Sequence, residues 1–234
     1  MRPEENSVLS FKKTRLSALL LPGILLLAAM ASRGLQPPLA ALPRHEPCCG
    51  PITPAGDHLA SVLDDMNVES LWIAGQHINW ETGEPDRGGD YEGPGNHTHC
   101  SAFSAAAAKR LGIYLLRPPE HGQSLLANAQ SKWLETAAAE KEGWQRVPRM
   151  LQAQSLANQG TLVVVVYANP DPHVPGHVAI LRPTEKSVHA LEDNGPEIIQ
   201  AGTHNHNSTN VRIGFSSHPG AWPDGVSYYA HPIR

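Results

Sequence analysis

Helical periodicity fills the first part of this 234-residue chain and short apolar runs fill the second, an order that predicts an α+β fold. Three observations carry the prediction. An alanine-rich stretch over residues 101–111 reads as a helix that other elements approach closely. Residues 162–166, Leu-Val-Val-Val-Val, form a continuous apolar run, the pattern of a buried central strand. Residues 177–181 read as a strand beginning at His177, with residues 188–194 as its hairpin partner and an antiparallel sheet as the result.

Taken in order, the chain opens with basic residues Lys12, Lys13 and Arg15, an apolar stretch from Leu16 to about Met30, and the small-x-small sequence Ala29-Met30-Ala31 before Ser32. That is the pattern of a secretory signal over residues 1–31, which predicts export to the periplasm or beyond the cell. Residues 32–55 are rich in proline and read as a linker, and residues 56–234 as one domain. Within it, Leu59, Val62, Leu63 and Met66 recur at helical spacing. Residues 81–95 are dense in Gly, Pro and acids and read as a loop; Asp86, Asp90 and Glu92 there fail the spacing of a calcium-binding loop. Helices are expected over 123–141 and 148–158, with Pro148 in the first turn and Gly160 after the end. Residues 197–200 and 211–215 are the remaining strand candidates, separated by the polar turn Thr203-His204-Asn205-His206-Asn207.

Charge and cysteine count narrow the function. A net charge of −4 without any polybasic cluster gives no field for nucleic acid. Three cysteines are too few for a disulfide scaffold. Cys48 and Cys49 are adjacent; they bond each other, bond another chain, or stay reduced. Cys100 remains, at the junction between Gly95-Asn96-His97-Thr98-His99 and the alanine-rich helix. The free N–H groups and dipole at a helix start favour a thiolate, the reactive form of cysteine.

A base for that thiol is at hand in His177. With residues 183–186 as the turn, counting back along the expected hairpin sets Ala179 against Ala190 and His177 against Glu192, with Asn194 one diagonal step away on the same face. Either Glu192 or Asn194 then orients the imidazole. The small residues Ala179 and Ala190 leave room for the helix of Cys100. The Cys100 backbone N–H supplies half of an oxyanion hole, with Asn96 and His99 as side-chain partners, beside His97 and Tyr91. This chemistry needs neither metal nor cofactor.

These residues also carry a family resemblance. Thr98-His99-Cys100-Ser101-Ala102-Phe103 resembles the Asp-Cys-Ser-Gly-Phe-type nucleophile segment of NlpC-type cell-wall peptidases, and Gly176-His177-Val178-Ala179-Ile180 resembles their Gly-His-Val-Gly-Ile-type strand. Glu192-Asp193-Asn194 is similar to the Glu-x-Asn signature of the related CHAP group. The resemblance covers about residues 75–215. His99 and Ala102 depart from the pattern, and residues 111–160 hold a long insert without a counterpart. It implies a papain-like fold and a cysteine peptidase or amidase acting on a peptidoglycan stem peptide or another peptide. An inhibitor or immunity protein is the implied protein partner.

Two other classes compete. His97, His99 and Cys100, with the second His-x-His pair His204 and His206, are the elements of a zinc-binding or zinc-dependent envelope protein. A non-catalytic cell-wall binding module would instead line a glycan groove with Trp72, Trp80, Trp133, Trp144 and Trp222.

Overall fold

The computed structural model describes residues 48–92 and 95–233. The expected signal, residues 1–31, and most of the expected linker lie outside the described residues. Helix α1 (Pro54–Asp64) starts where Thr53 caps it, its hydroxyl accepting from the Gly56 N–H at 3.2 Å. The stretch read as a loop over 81–95 contributes strand β2 (Pro85–Asp90), paired antiparallel with β1 (Gln76–Ile78). Helix α2 (Cys100–Arg110) follows as expected. The helix expected over 123–141 is two, α3 (Leu126–Leu134) and α4 (Ala137–Glu142), because Thr136 caps the second and breaks the first.

Beyond them run β3 (Gln145–Val147), α5 (Met150–Asn158), β4 (Leu162–Tyr167) and β5 (His177–Leu181). The chain closes with α6 (Val188–Asn194), β6 (Glu197–Gln200), β7 (His206–Asn210), α7 (Val211–Gly214) and β8 (Ser227–His231). Six strands form one antiparallel sheet in the order β3-β8-β4-β5-β6-β7. The α+β class therefore holds. Among the described residues no helix is long and apolar enough to cross a membrane.

Each face of the sheet carries its own helices, and the alternation along the strands decides what each residue meets. Val164, Val166, Val178, Ile180 and Ile199 pack with Ala102, Phe103 and Ala106 of α2. Val163, Val165, Ala179 and Ile198 pack on the opposite side with Ala153 and Ala157 of α5 and with Phe215. β4 is buried along its whole length, as its apolar run predicts. Ala179, expected to make room for α2, faces the other layer.

Two expected strands are helices. Residues 188–194 form α6 because Ser187 caps them, its hydroxyl accepting from the Ala190 N–H at 3.3 Å, while Gly195 ends the helix at φ 80°. Residues 211–214 form α7 under an equivalent cap from Asn210 to the Ile213 N–H at 2.9 Å. In both, a polar cap ahead of a short apolar pair outweighs β propensity. The hairpin register built on residues 188–194 is overturned with the strand. β5 pairs with β4, Tyr167 opposite His177, and with β6.

The domain reaches back to the cysteine pair. Cys48 and Cys49 are bonded to each other, the Cys48 N–H donates to the Lys186 carbonyl at 2.7 Å, and the buried Asn158 amide donates to the Gly50 carbonyl at 3.0 Å. Residues 48–53 are thus docked on the domain.

One buried side chain sets the approach to β5. Asn128 of α3 accepts from the N–H groups of Gly176 (2.8 Å) and Asn169 (3.2 Å) and donates to the Val174 carbonyl (2.9 Å). Glycine is required at 176, since a Cβ there would stand 2.1 Å from the Tyr167 carbonyl oxygen and 2.5 Å from Asn128 Oδ1. Asn128→Ala leaves these backbone groups unpaired, and urea titration should show a loss of about 2 kcal/mol, within the range for orphaned buried polar groups. An unchanged midpoint would show that the loop carries its own conformation without the amide.

Candidate active site

The nucleophile candidate stands at the first residue of α2, whose residues from Cys100 to Ala108 are all buried. Alanine makes this close packing feasible. Gln130 of α3 locks the first turn by donating to the carbonyls of Ser101 (3.0 Å) and Leu116 (2.9 Å). The thiol is free and only 4% exposed. Burial pushes its pKa up, while the N–H groups of Val178 and Ser101, the Thr98 hydroxyl and its own N–H oppose that rise by favouring the anion.

The Val178 N–H locates Cys100 on the sheet. β5 and β6 pair only at Ile180–Ile199 and Leu181–Ile198, so the two strands part before Val178 reaches the position opposite Ala201. In that opening the Val178 N–H is turned to the Cys100 sulfur. Helix start and strand start therefore meet where the ladder ends.

His177 precedes Val178 and so points to the other face. There its Nε2 lies 2.7 Å from Gln200 Oε1, and the ring is 3% exposed. Gln200 donates its own amide N–H to the His204 carbonyl at 3.4 Å, which turns the amide oxygen to the imidazole. An amide oxygen only accepts, so Nε2 carries the proton and Nδ1 keeps its lone pair. The Phe215 ring meets His177 edge-on at 4.6 Å, and the His218 ring lies nearly parallel to it at 5.1 Å. Burial lowers the His177 pKa to about 4, against a partial rise from the Gln200 bond. His218 is likewise lowered to about 4, by burial and then by the neighbouring His177. At neutral pH the thiol and the imidazole are each uncharged.

A cleft of about 340 Å³ opens beside His177, lined among others by Asn96, Thr98, His177, Gln200, Ser217 and His218, while Cys100 lies behind Thr98 and is not part of the lining. Among the described residues no hydrogen bond joins Cys100 to His177. They reach the same end of β5 from its two sides.

The other expected site residues divide. Asn96 is at the cleft, its amide donating to the Thr203 hydroxyl at 3.2 Å. His99 is not an oxyanion donor: its Nε2 lies 2.9 Å from the Gln76 carbonyl, and the buried ring ties the α2 start to β1. Glu192 and Asn194 do not orient His177, because α6 takes them away from it. Glu192 faces a separate cavity of about 370 Å³ beside Trp222 and Tyr228, and the Asn194 amide bonds within its own helix to the Ala190 carbonyl at 3.4 Å.

The residue facing His177 is Gln200, and its signal was present: residues 197–200 read as a strand, and pairing that strand with β5 brings Gln200 diagonally across from His177. His218 left no such trace, since Ser216-Ser217-His218-Pro219 reads only as a turn.

The rival classes also meet the structure. His97 stacks on Tyr91 at 4.6 Å and His99 is bound to Gln76, so the first His-x-His pair is divided, whereas His204 and His206 both line the cleft. Among the described residues no group of three or more His, Cys, Asp or Glu is placed to hold a metal ion. Trp72 and Trp144 are core residues whose indoles donate to the carbonyls of Trp80 and Tyr114. The chain matches no protein-family model and no curated protein.

His177 and His218, both lowered to about 4, make stability depend on acid. Their folded pKa of about 4 lies below the ordinary 6.5, so the unfolded chain binds more protons between these values. Their contribution is whole above pH 6.5 and is lost as pH falls toward 4. Thermal melts across that window should show a shallower decline for His177→Gln than for the natural protein. Parallel declines would mean that His177 is not held neutral by the fold.

Proposed function

We propose that this protein is an exported papain-like cysteine hydrolase of the NlpC and CHAP type, cleaving an amide in the peptidoglycan stem through Cys100, His177 and Gln200. The observation that carries the reading is the pairing of His177 Nε2 with Gln200 Oε1 at the strand start that abuts Cys100. Nε2 is occupied by an acceptor, so the lone pair of Nδ1 is the base available to a thiol.

The chemistry follows from a neutral resting pair. A substrate amide enters the cleft and its carbonyl carbon comes to the Cys100 sulfur. For the thiol proton to pass to His177 Nδ1 as the carbon–sulfur bond forms, the two side chains must come within reach around the end of β5, whose opposite sides they occupy. The Cys100 N–H and the Asn96 amide are the groups that would receive the oxyanion. Collapse breaks the carbon–nitrogen bond, and His177 returns the proton to the departing amine. Water, deprotonated by the same Nδ1, then hydrolyses the thioester and frees the thiol. Gln200 holds the ring in its tautomer throughout.

The substrate class rests on the motif resemblance and on the expected secretory signal. Asn96, Gln200 and the hydroxyls of Thr98 and Ser217 give the cleft a polar lining fit for amide groups.

Digestion of purified sacculi, with fragments identified by mass, tests the reading. New amine termini within the stem identify an endopeptidase, and whole free stems an amidase. Cys100→Ala should fold as the natural protein and release nothing. Gln200→Ala should lose on the order of a hundredfold in kcat, the lower end of what a positioned base contributes. Glu192→Gln and Asn194→Ala should leave the rate unchanged. Hydrolysis should survive EDTA and end with iodoacetamide; stoichiometric zinc lost together with activity would favour the metal reading instead.

A further inference from the structure

The imidazole stacked on His177, that of His218, has no part in that scheme. We infer that His218 is a positioning residue for His177: its ring lies flat on the base, holds it against Phe215 and Gln200, and screens it from water in the cleft. This rests on the hydrolase reading above.

The contacts enclose His177 on separate sides. The His218 ring lies at 5.1 Å with the planes 16° apart, the Phe215 edge at 4.6 Å and 74°, and Gln200 Oε1 at 2.7 Å from Nε2. One short segment supplies both rings, and the His218 N–H donates to the Phe215 carbonyl at 2.9 Å. His218 itself is half-buried and lines the cleft, so it forms the outer wall of the base.

The groups that face His177 from the packed elements are Tyr167 of β4, Gln200 of β6, and Phe215 and His218 after α7, with Cys100 on the other side of β5. His204 and His206 line the same cleft. None of these is a carboxylate, a lysine or an arginine. Water exclusion lowers the His177 pKa against a partial rise from the Gln200 bond, and His218 contributes to that exclusion; the two stacked rings also disfavour a charge on each other, as the lowered pKa of His218 records. Removing it acts with one sign. Water reaches the ring, the competing imidazole disappears, and His177 protonates at higher pH, where it ceases to be a base. The freed ring also loses its alignment with the thiol.

The test compares the natural protein with His218→Ala and His218→Phe, by pH–rate profiles and by NMR titration of the His177 ring in a Cys100→Ala background. His218→Ala should raise the acid limb and the His177 midpoint by about one pH unit, the size expected when burial and a neighbouring charge are both relieved. Its plateau kcat should fall on the order of tenfold through lost alignment. His218→Phe keeps a flat, water-excluding ring and should retain most of the plateau and a low His177 midpoint. A natural midpoint in His218→Ala, or identical behaviour of the two variants, overturns the inference. Absence of turnover in the natural protein overturns the hydrolase reading, and the NMR comparison still decides whether His218 governs His177.

Discussion

The end of the β5–β6 ladder is the constraint on which the site depends. A continuous sheet would spend the Val178 N–H on a β6 carbonyl and leave a closed surface between Cys100 and His177. Parting after Ile180–Ile199 frees that N–H for the sulfur. Gln200 can then lean across to His177, because the diagonal neighbour on a splayed pair has room to rotate toward the strand end. Sheet and helix packing supply the rigidity, and the end of the pairing brings the Val178 N–H to the sulfur.

Rigidity comes from amides more than from charge. Asn128 fixes the turn into β5, Gln130 fixes the first turn of α2, and Asn158 ties residues 48–53 and the β5–α6 turn to α5. Each is a buried side chain with both donors and an acceptor, able to close several backbone groups at once without the cost of desolvating an ion. The small residues around them have the same purpose: Gly176 lets Asn128 approach, and the alanines of α2 let the helix lie close on Val178 and Ile180.

Much of this was legible in sequence, with gaps that have physical causes. The buried strand at 162–166, the helix start at Cys100 and the strand start at His177 each rest on one dominant local signal. Residues 188–194 and 211–214 do not: short, mildly apolar segments suit a strand as well as a helix, and only the capping by Ser187 and Asn210 decides. That one misreading displaced the expected orienting residue from Gln200 to Glu192 and Asn194. His99 shows the opposite limit. Its residue type suited an oxyanion donor, but the Gln76 carbonyl that claims its ring lies 23 positions away, beyond the reach of local pattern.

The identity of the residue facing the base has a chemical meaning. A glutamate at position 200, buried beside Phe215, would require a partner charge and would find it in a protonated His177, drawing the imidazole toward its cationic form. An amide orients the ring equally well and leaves its charge state to the surroundings, which are buried and hold it neutral. The same surroundings keep the thiol protonated. A resting ion pair is therefore disfavoured on both sides, and under the proposed hydrolase reading the proton would move only as a substrate carbonyl offers the sulfur a bond. The N–H groups of Cys100, Ser101 and Val178 converge on the sulfur, where that reading has the negative charge begin.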